Sequence, residues 1–244
     1  MLSVRHLSKS FGGLAAVRNL DFDVAPGSVT ALIGPNGAGK STVFNLVSGA
    51  LRPDAGSVRF AGSDVTGLPA YKLARRGIAR SFQITNIFPG FSVRLNLKLA
   101  CLSLERWRRF LKPLESFAAV DEDVERLLCL YGLAGQGDQD ARNLSHGDQR
   151  RLEVAICMAS RPRMLMLDEP TQGMGPAETA EFKHLIGTLR GDTTVLLVEH
   201  DVDLVMGISD HVIVLQQGAK IAEGTPASVS ADAAVRDAYL GGEA

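Results

Sequence analysis

The sequence of 244 residues predicts a mostly parallel α/β core interrupted by a helical subdomain, and three observations carry that prediction. Apolar strand-like runs alternate with helical periodicity at both ends of the chain. One of those runs, Val29 to Ile33, feeds straight into a glycine-rich loop, as a strand covered on both faces would. The middle, from about residue 69 to 159, is dominated by helical spacing and offers few strand candidates.

In chain order, "SVRHL", "LDFDV", "SVTALIG" and, after the turn "RPDAG", "SVRF" read as strands. A helix is expected from about Gly39, with Val43, Leu46 and Val47 on one face and Gly49 as its stop. Val120, Val124, Leu127, Leu128 and Tyr131 recur on one helical face, with Asp121, Glu122 and Asp123 expected in its first turn and Gly132 at its end. Strand signals then return as "MLML" before Asp168, "TTVLLVEH" before Asp201, and "HVIVL" before a turn at Gln217 and Gly218. Residues 176–189 between them look helical, and no long linker or low-complexity tract interrupts the chain.

Composition narrows the function classes. With 45% hydrophobic and 22% charged residues the chain reads as an ordinary soluble protein, and a formal net charge of -1 argues against a global nucleic-acid footprint. No window approaches the roughly 18 apolar residues of a spanning helix, and "MLSVRHLSKSFGG" lacks the apolar segment of a secretion signal, so a cytoplasmic location is expected. Cys101, Cys129 and Cys157 are an odd number without a C-x-x-C pair, which disfavours a disulfide framework and a zinc site.

The chemistry concentrates in a few stretches. Gly34-Pro35-Asn36-Gly37-Ala38-Gly39-Lys40-Ser41 satisfies G-x-x-x-x-G-K-[ST] between a strand and a helix. Its glycines let backbone N–H groups converge on a phosphate, Lys40 can reach the terminal phosphates, and the Ser41 hydroxyl can hold magnesium. Asp168 ends a buried strand at the ligand edge of a parallel sheet, where a carboxylate binds magnesium through water. Glu169 beside it suits orienting or deprotonating an attacking water, which favours hydrolysis over transfer to a bulky acceptor. His200 ends "TTVLLVEH" at the same edge, outside any zinc pattern, and Gln83 in "RSFQ" is a neutral side chain able to ligate magnesium or touch the water.

A second anion-binding feature lies at "LSHGDQRRLE". Ser145 and Asp148 form the S-x-x-[DE] capping pattern ahead of Leu152, Ala155, Ile156 and Ala159 at helical spacing. Gly147 leaves the first turn bare, and unpaired N–H groups there attract anions. Two copies packed head to tail would close each nucleotide between one copy's glycine loop and the other's Ser145 helix.

Taken in order, "GPNGAGKST", "SFQ", "LSHGD", "MLMLDEP" and "VEHD" strongly resemble the ATP-binding cassette subunits of ABC transporters, over nearly the whole chain. The resemblance implies a P-loop ABC-type nucleotide-binding domain over residues 1–244: a core at about 1–85 and 160–244 with an N-terminal antiparallel β subdomain, and an inserted α-helical subdomain at about 86–159. It implies ATP and Mg2+ as cofactors, bound by Gly34, Asn36, Gly37, Ala38, Gly39, Lys40, Ser41 and Thr42, with Phe11 stacked on adenine and Ser41, Gln83 and Asp168 at the metal. Glu169 is then the general base, His200 the switch histidine on the γ-phosphate, and Ser145 and Gly147 the contact to ATP held by a second subunit, identical or paralogous. Two departures stand out: Gly175 occupies the place of an aspartate common in the family, and His146 and Asp148 replace the commoner Gly and Gln.

Within that family, "FGGLAAV", "SFQITNIFPGFSVRLNL", "DEPTQGMGPAE", "VEHDVDLVM" and "AYLG" look like cassettes of branched-chain amino acid importers. That implies a peripheral subunit at the cytoplasmic face of the membrane, a permease docked near Gln83, an external solute-binding protein and no nucleic-acid partner. Urea, amides or an exported substrate are the alternative cargoes. A soluble, non-transport ATPase is the other class; chromosome-acting relatives would carry long heptad arms, and only a compact helical segment is present. "ERWRRFLK", residues 105–112, reads as a surface helix that can also meet lipid headgroups or the permease.

Overall fold

A computed structural model describes residues 1–81, 87–104 and 116–240. The chain divides into two units, one of Met1–Arg80, Arg163–Pro170 and Ile186–Ala244, the other of Ser81–Pro162 and Thr171–Leu185.

The first unit holds two sheets. In the antiparallel one, β1 (Leu2–Phe11) lies between β2 (Leu14–Val24) and β4 (Ala55–Phe60), with the short β5 (Ser63–Asp64) at the edge. Period-2 alternation buries Leu2, Val4, Leu20, Phe22, Val58 and Phe60 on one side. Pairing of β1 with β2 slips between Val4 and Leu7, where His6 and Asn19 take φ of 51° and 46°.

The second sheet runs β10 (Ala219–Gly224), β9 (His211–Gln216), β3 (Val29–Ile33), β8 (Thr194–Val198), β7 (Met164–Asp168) and β6 (Ile78–Arg80). Five strands are parallel, and β10 returns antiparallel beside β9 through Gln217 and Gly218, both at positive φ. Every residue of β3, β7 and β8 is buried, the signature of strands covered on both faces. Register pairs Leu32 with Val198 and Val198 with Asp168, so the ends of three strands share one row. Helices α8 (Pro226–Ala231) and α9 (Ala233–Leu240) add Val229 and Val235 to the cluster of Ile33, Val212 and Val214.

The second unit is helical: α3 (Val93–Leu104), α4 (Ser116–Leu130), α5 (His146–Ala159) and the start of α6 (Pro176–Leu189). Leu97, Val124, Leu128, Leu152 and Ala155 form its core. Helix α4 ends as expected, with Gly132 at φ 66° and the Leu133 N–H donating to Leu128 O at 2.7 Å. Its start differs: α4 begins at Ser116, so Asp121 and Asp123 fall beyond the first turn. They pair sideways instead, Asp121 with Lys98 at 2.6 Å and Asp123 with Arg161 at 2.8 Å. No helix among the described residues is long and apolar enough to cross a membrane.

Candidate active site

Strand β3 ends where the chain must pass close to two other backbones, and glycine alone permits it. A Cβ on Gly34 would stand 2.2 Å from Leu215 O, and one on Gly39 2.5 Å from Ala16 O; Gly39 has φ 99°. Helix α1 (Lys40–Val47) starts directly after Gly39, leaving the N–H groups of its first turn aimed into the loop. Lys40, only 7% exposed, folds back so that Nζ donates to Gly34 O at 2.6 Å and Pro35 O at 3.1 Å. Burial lowers its pKa, and the carboxylates of Glu169 and Asp168 oppose that shift. Ser41 is exposed at the helix start.

Asp168, the last residue of β7, is 3% exposed, and its pKa is pushed up to about 6. Burial is the main cause; the neighbouring Glu169 and Glu199 add to it, while Arg80 and Lys40 work against it. Glu169 takes φ 46°, unusual for a residue with a Cβ, and its N–H donates to Val198 O at 2.8 Å. Such a conformation costs about 1–3 kcal/mol and turns the side chain out of the strand's alternation. On the adjoining strand end, buried Glu199 accepts the His200 N–H at 3.1 Å, with Oε2 3.6 Å from His200 Nδ1, and the His200 ring is exposed.

Phe11, 47% exposed, borders a cavity of about 460 Å³ shared with Ala16, Gly37, Gly39, Thr42 and Gly218. The Lys9 ammonium lies 5.7 Å from the Phe11 ring centre. The aromatic residue and the glycine loop thus open on one space.

Ser145 and Gly147 belong to the second unit. Ser145 caps α5, its Oγ accepting the Asp148 N–H at 3.1 Å and donating to Asp148 Oδ2 at 3.0 Å. Gln83 and residues 105–112 lie outside the described residues.

Three contributors were not singled out from sequence. Arg80 donates to Ser48 Oγ at 2.6 Å, stacks 4.9 Å from the Phe44 ring centre and faces Asp168 electrostatically; it sits on a three-residue strand too short to show periodicity. Glu199 was visible as an acid ending an apolar run. Tyr239 on α9 is packed so that burial raises its pKa while the nearby backbone of Gly34 lowers it, which places its hydroxyl beside the glycine loop.

The donor set fits magnesium. Magnesium is held by a carboxylate or hydroxyl together with water and substrate phosphate, and Asp168 and Ser41 supply those two side-chain types beside the glycine loop. A buried Asp168 crowded by two acids is a site a cation would relieve. The same crowding predicts a stability effect. Because folding raises the Asp168 pKa, the stability it confers is full below its unfolded value near 4 and is lost as pH rises through about 6. Asp168→Asn should therefore raise the melting temperature of the nucleotide-free protein by a few degrees at pH 8 and leave it little changed at pH 4.5. Equal shifts at both values would reject the electrostatic account.

Comparison with known proteins sets this geometry in context. The family model described as ABC transporter matches residues 17–172, and one described as branched-chain amino acid ATP-binding cassette transporter matches residues 219–244. The high-affinity branched-chain amino acid transport ATP-binding protein LivG of Escherichia coli K12 is 43% identical, over 99% of this chain and 98% of its own. BraF of Pseudomonas aeruginosa, of the same description, is 41% identical over 99% and 98%. Among solved structures, a nucleotide-free ATP-binding cassette from an ABC transporter superposes with a TM-score of 0.84 at 30% identity, covering 98% of both chains. The ADP conformation of the cassette MJ1267 gives 0.85 at 30%, covering 99% and 98%.

Proposed function

From the premise that this chain belongs to the ABC transporter family as an ATP-hydrolysing subunit, we propose that it powers uptake of branched-chain or related amino acids through a membrane permease. The observation that carries the motor chemistry is the electrostatic coupling of Lys40, which follows β3 and its glycine loop, with Asp168 and Glu169 at the end of β7, only β8 lying between the two strands. The cargo rests on the full-length similarity to LivG and BraF and on the C-terminal match.

In this reading Lys40 exchanges Gly34 O and Pro35 O for the β- and γ-phosphates. Phe11 stacks on adenine, while Asn36, Gly37, Ala38, Gly39, Ser41 and Thr42 surround the phosphates. Ser41 and Asp168, with Gln83, would hold magnesium, which supplies charge neutralisation on the phosphates. Glu169 accepts a proton from water as the water oxygen bonds to the γ-phosphorus and the bond to the bridging oxygen of ADP breaks, releasing ADP and phosphate. His200 donates to the γ-phosphate, and Glu199 behind it accepts the His200 backbone N–H with its carboxylate 3.6 Å from Nδ1.

Ser145 and Gly147 complete the site on a partner subunit, so ATP binding closes a dimer and hydrolysis opens it. The second unit offers the permease an apolar surface. Phe88 and Phe91 stack with ring centres 5.4 Å apart and are 55% and 42% exposed. Buried Asn96 fastens that turn, accepting from Phe88 N and donating to the carbonyls of Phe88, Phe91 and Ser92. An external solute-binding protein delivers cargo, and this subunit works from the cytoplasmic face.

Proteoliposomes containing the cognate permease and this subunit, with ATP on the subunit's side and binding protein on the other, test the proposal. Labelled leucine, isoleucine or valine should accumulate only with ATP. Accumulation of urea or an amide but none of these would replace the cargo and leave the ATPase reading intact.

A further inference from the structure

Within the second unit, the Gly147 N–H at the mouth of α5 donates to Oε1 of Glu178 at 3.1 Å. The other oxygen of that carboxylate accepts the Gly175 N–H at 3.0 Å. Glu178 lies in the first turn of α6. A Cβ on Gly147 would stand 2.7 Å from Glu178 Oε1, so the bare glycine is what admits the carboxylate. The Gly175 and Gly147 N–H groups hold the Glu178 carboxyl below the usual range, which keeps it an anion at neutral pH.

The Ser145 hydroxyl is also engaged, through both its oxygen and its proton, with Asp148. The charge of Asp148 is balanced by Arg151, to which it is paired. Glu178 differs: it forms no ion pair among the described residues, and the neighbouring Arg151 reaches Asp148 and Glu181 instead. What holds Glu178 at the loop is chiefly backbone N–H groups, the same kind of donor that a phosphate would use, with a lesser contribution from the Ser145 side chain.

We infer that Glu178 is an internal stand-in for the γ-phosphate, seated on the Gly147 N–H until ATP carried by the partner subunit displaces it, so that it sets the ATP concentration at which two copies close. The inference rests on the reading of Ser145 and Gly147 as the contact to the partner's ATP. One N–H cannot serve two anions at full strength, and a carboxylate left beside an arriving triphosphate repels it. Closure must therefore expel Glu178 from Gly147, while its second oxygen can stay on Gly175 at the start of α6. The role is one of positioning: Glu178 keeps the loop open to an anion while opposing premature pairing.

The test uses the full chain with Glu169→Gln, which blocks hydrolysis, and follows dimer formation against ATP by light scattering. Adding Glu178→Gln, which keeps the side chain's shape but removes the charge and replaces one of its two acceptor oxygens with a donor, should lower the half-maximal ATP concentration roughly tenfold, as expected when a charge-assisted bond becomes a neutral one. Glu178→Ala, which removes the stand-in entirely, should shift it in the same direction. A general packing defect would weaken pairing, so a gain separates the two causes; an unchanged or higher half-point in both variants overturns the inference. Ser145→Ala serves as the second arm. If it abolishes pairing while the Glu178 variants change nothing, only the inference fails; if it pairs like its parent, the shared-site reading fails and the inference with it.

Discussion

Glu169→Gln should leave ATP bound and stop its hydrolysis. The glutamine matches the carboxylate in shape but cannot take a proton from water, and general-base catalysis contributes about 10²–10⁴ in rate. The backbone argues for the same residue: Glu169 is held at φ 46° by its bond to Val198 O, a strained conformation at the end of a strand that is otherwise fully buried. Its side chain leaves the register that sends Asp168 inward, so the two adjacent acids face different tasks. Asp168 is buried beside Lys40 and Arg80, whereas Glu169 remains half-exposed, where a water can reach it. Phosphate release should fall by about 10²–10⁴ while ATP affinity holds, and a closed, ATP-bound dimer should accumulate in gel filtration. Steady-state turnover equal to the parent's would remove Glu169 from the mechanism.

How much of this was legible in the sequence depended on whether the signal was local. Strand β3 and its glycine loop were readable because a buried parallel strand is a near-continuous apolar run and the loop's spacing follows from phosphate geometry. Helix α6 was readable over its whole length, and α4 over its apolar face, because their periodicity is long. The start of α4 was not, since acids that suit a first turn serve equally in cross-helix pairs, and the ion pairs with Lys98 and Arg161 join residues far apart in sequence. Strand β6 and β10 escaped notice for different reasons: one is three residues long, and the other, "AKIAEG", is a half-exposed edge without clean alternation. Asp168 and Glu169 could be placed at a strand end from sequence, but the pull of Arg80 and the push of Glu199 on Asp168 exist only once β6, β7 and β8 lie side by side. The Glu178 contact with Gly147 is likewise tertiary, joining positions 31 residues apart.

Lys40→Ala should act one step earlier, on nucleotide binding itself. The ammonium is nearly buried and held by the carbonyls of Gly34 and Pro35, so its charge already sits inside the loop and phosphate binding exchanges only those two bonds. Hydrogen bonds to a charged group contribute about 1.5–3 kcal/mol each, and losing contacts to two phosphates should weaken ATP binding by roughly 10²–10⁴. The substitution also removes one of the two cations that restrain Asp168, so that carboxyl should rise further above its present value and bind magnesium less readily at neutral pH. The two variants should therefore separate cleanly in calorimetry: Glu169→Gln with parental affinity and no turnover, Lys40→Ala with little affinity at any magnesium concentration. Parental ATP affinity in Lys40→Ala would mean that the loop binds through its backbone alone, and Lys40 would then be a structural tie across Gly34 and Pro35 with no part in holding phosphate.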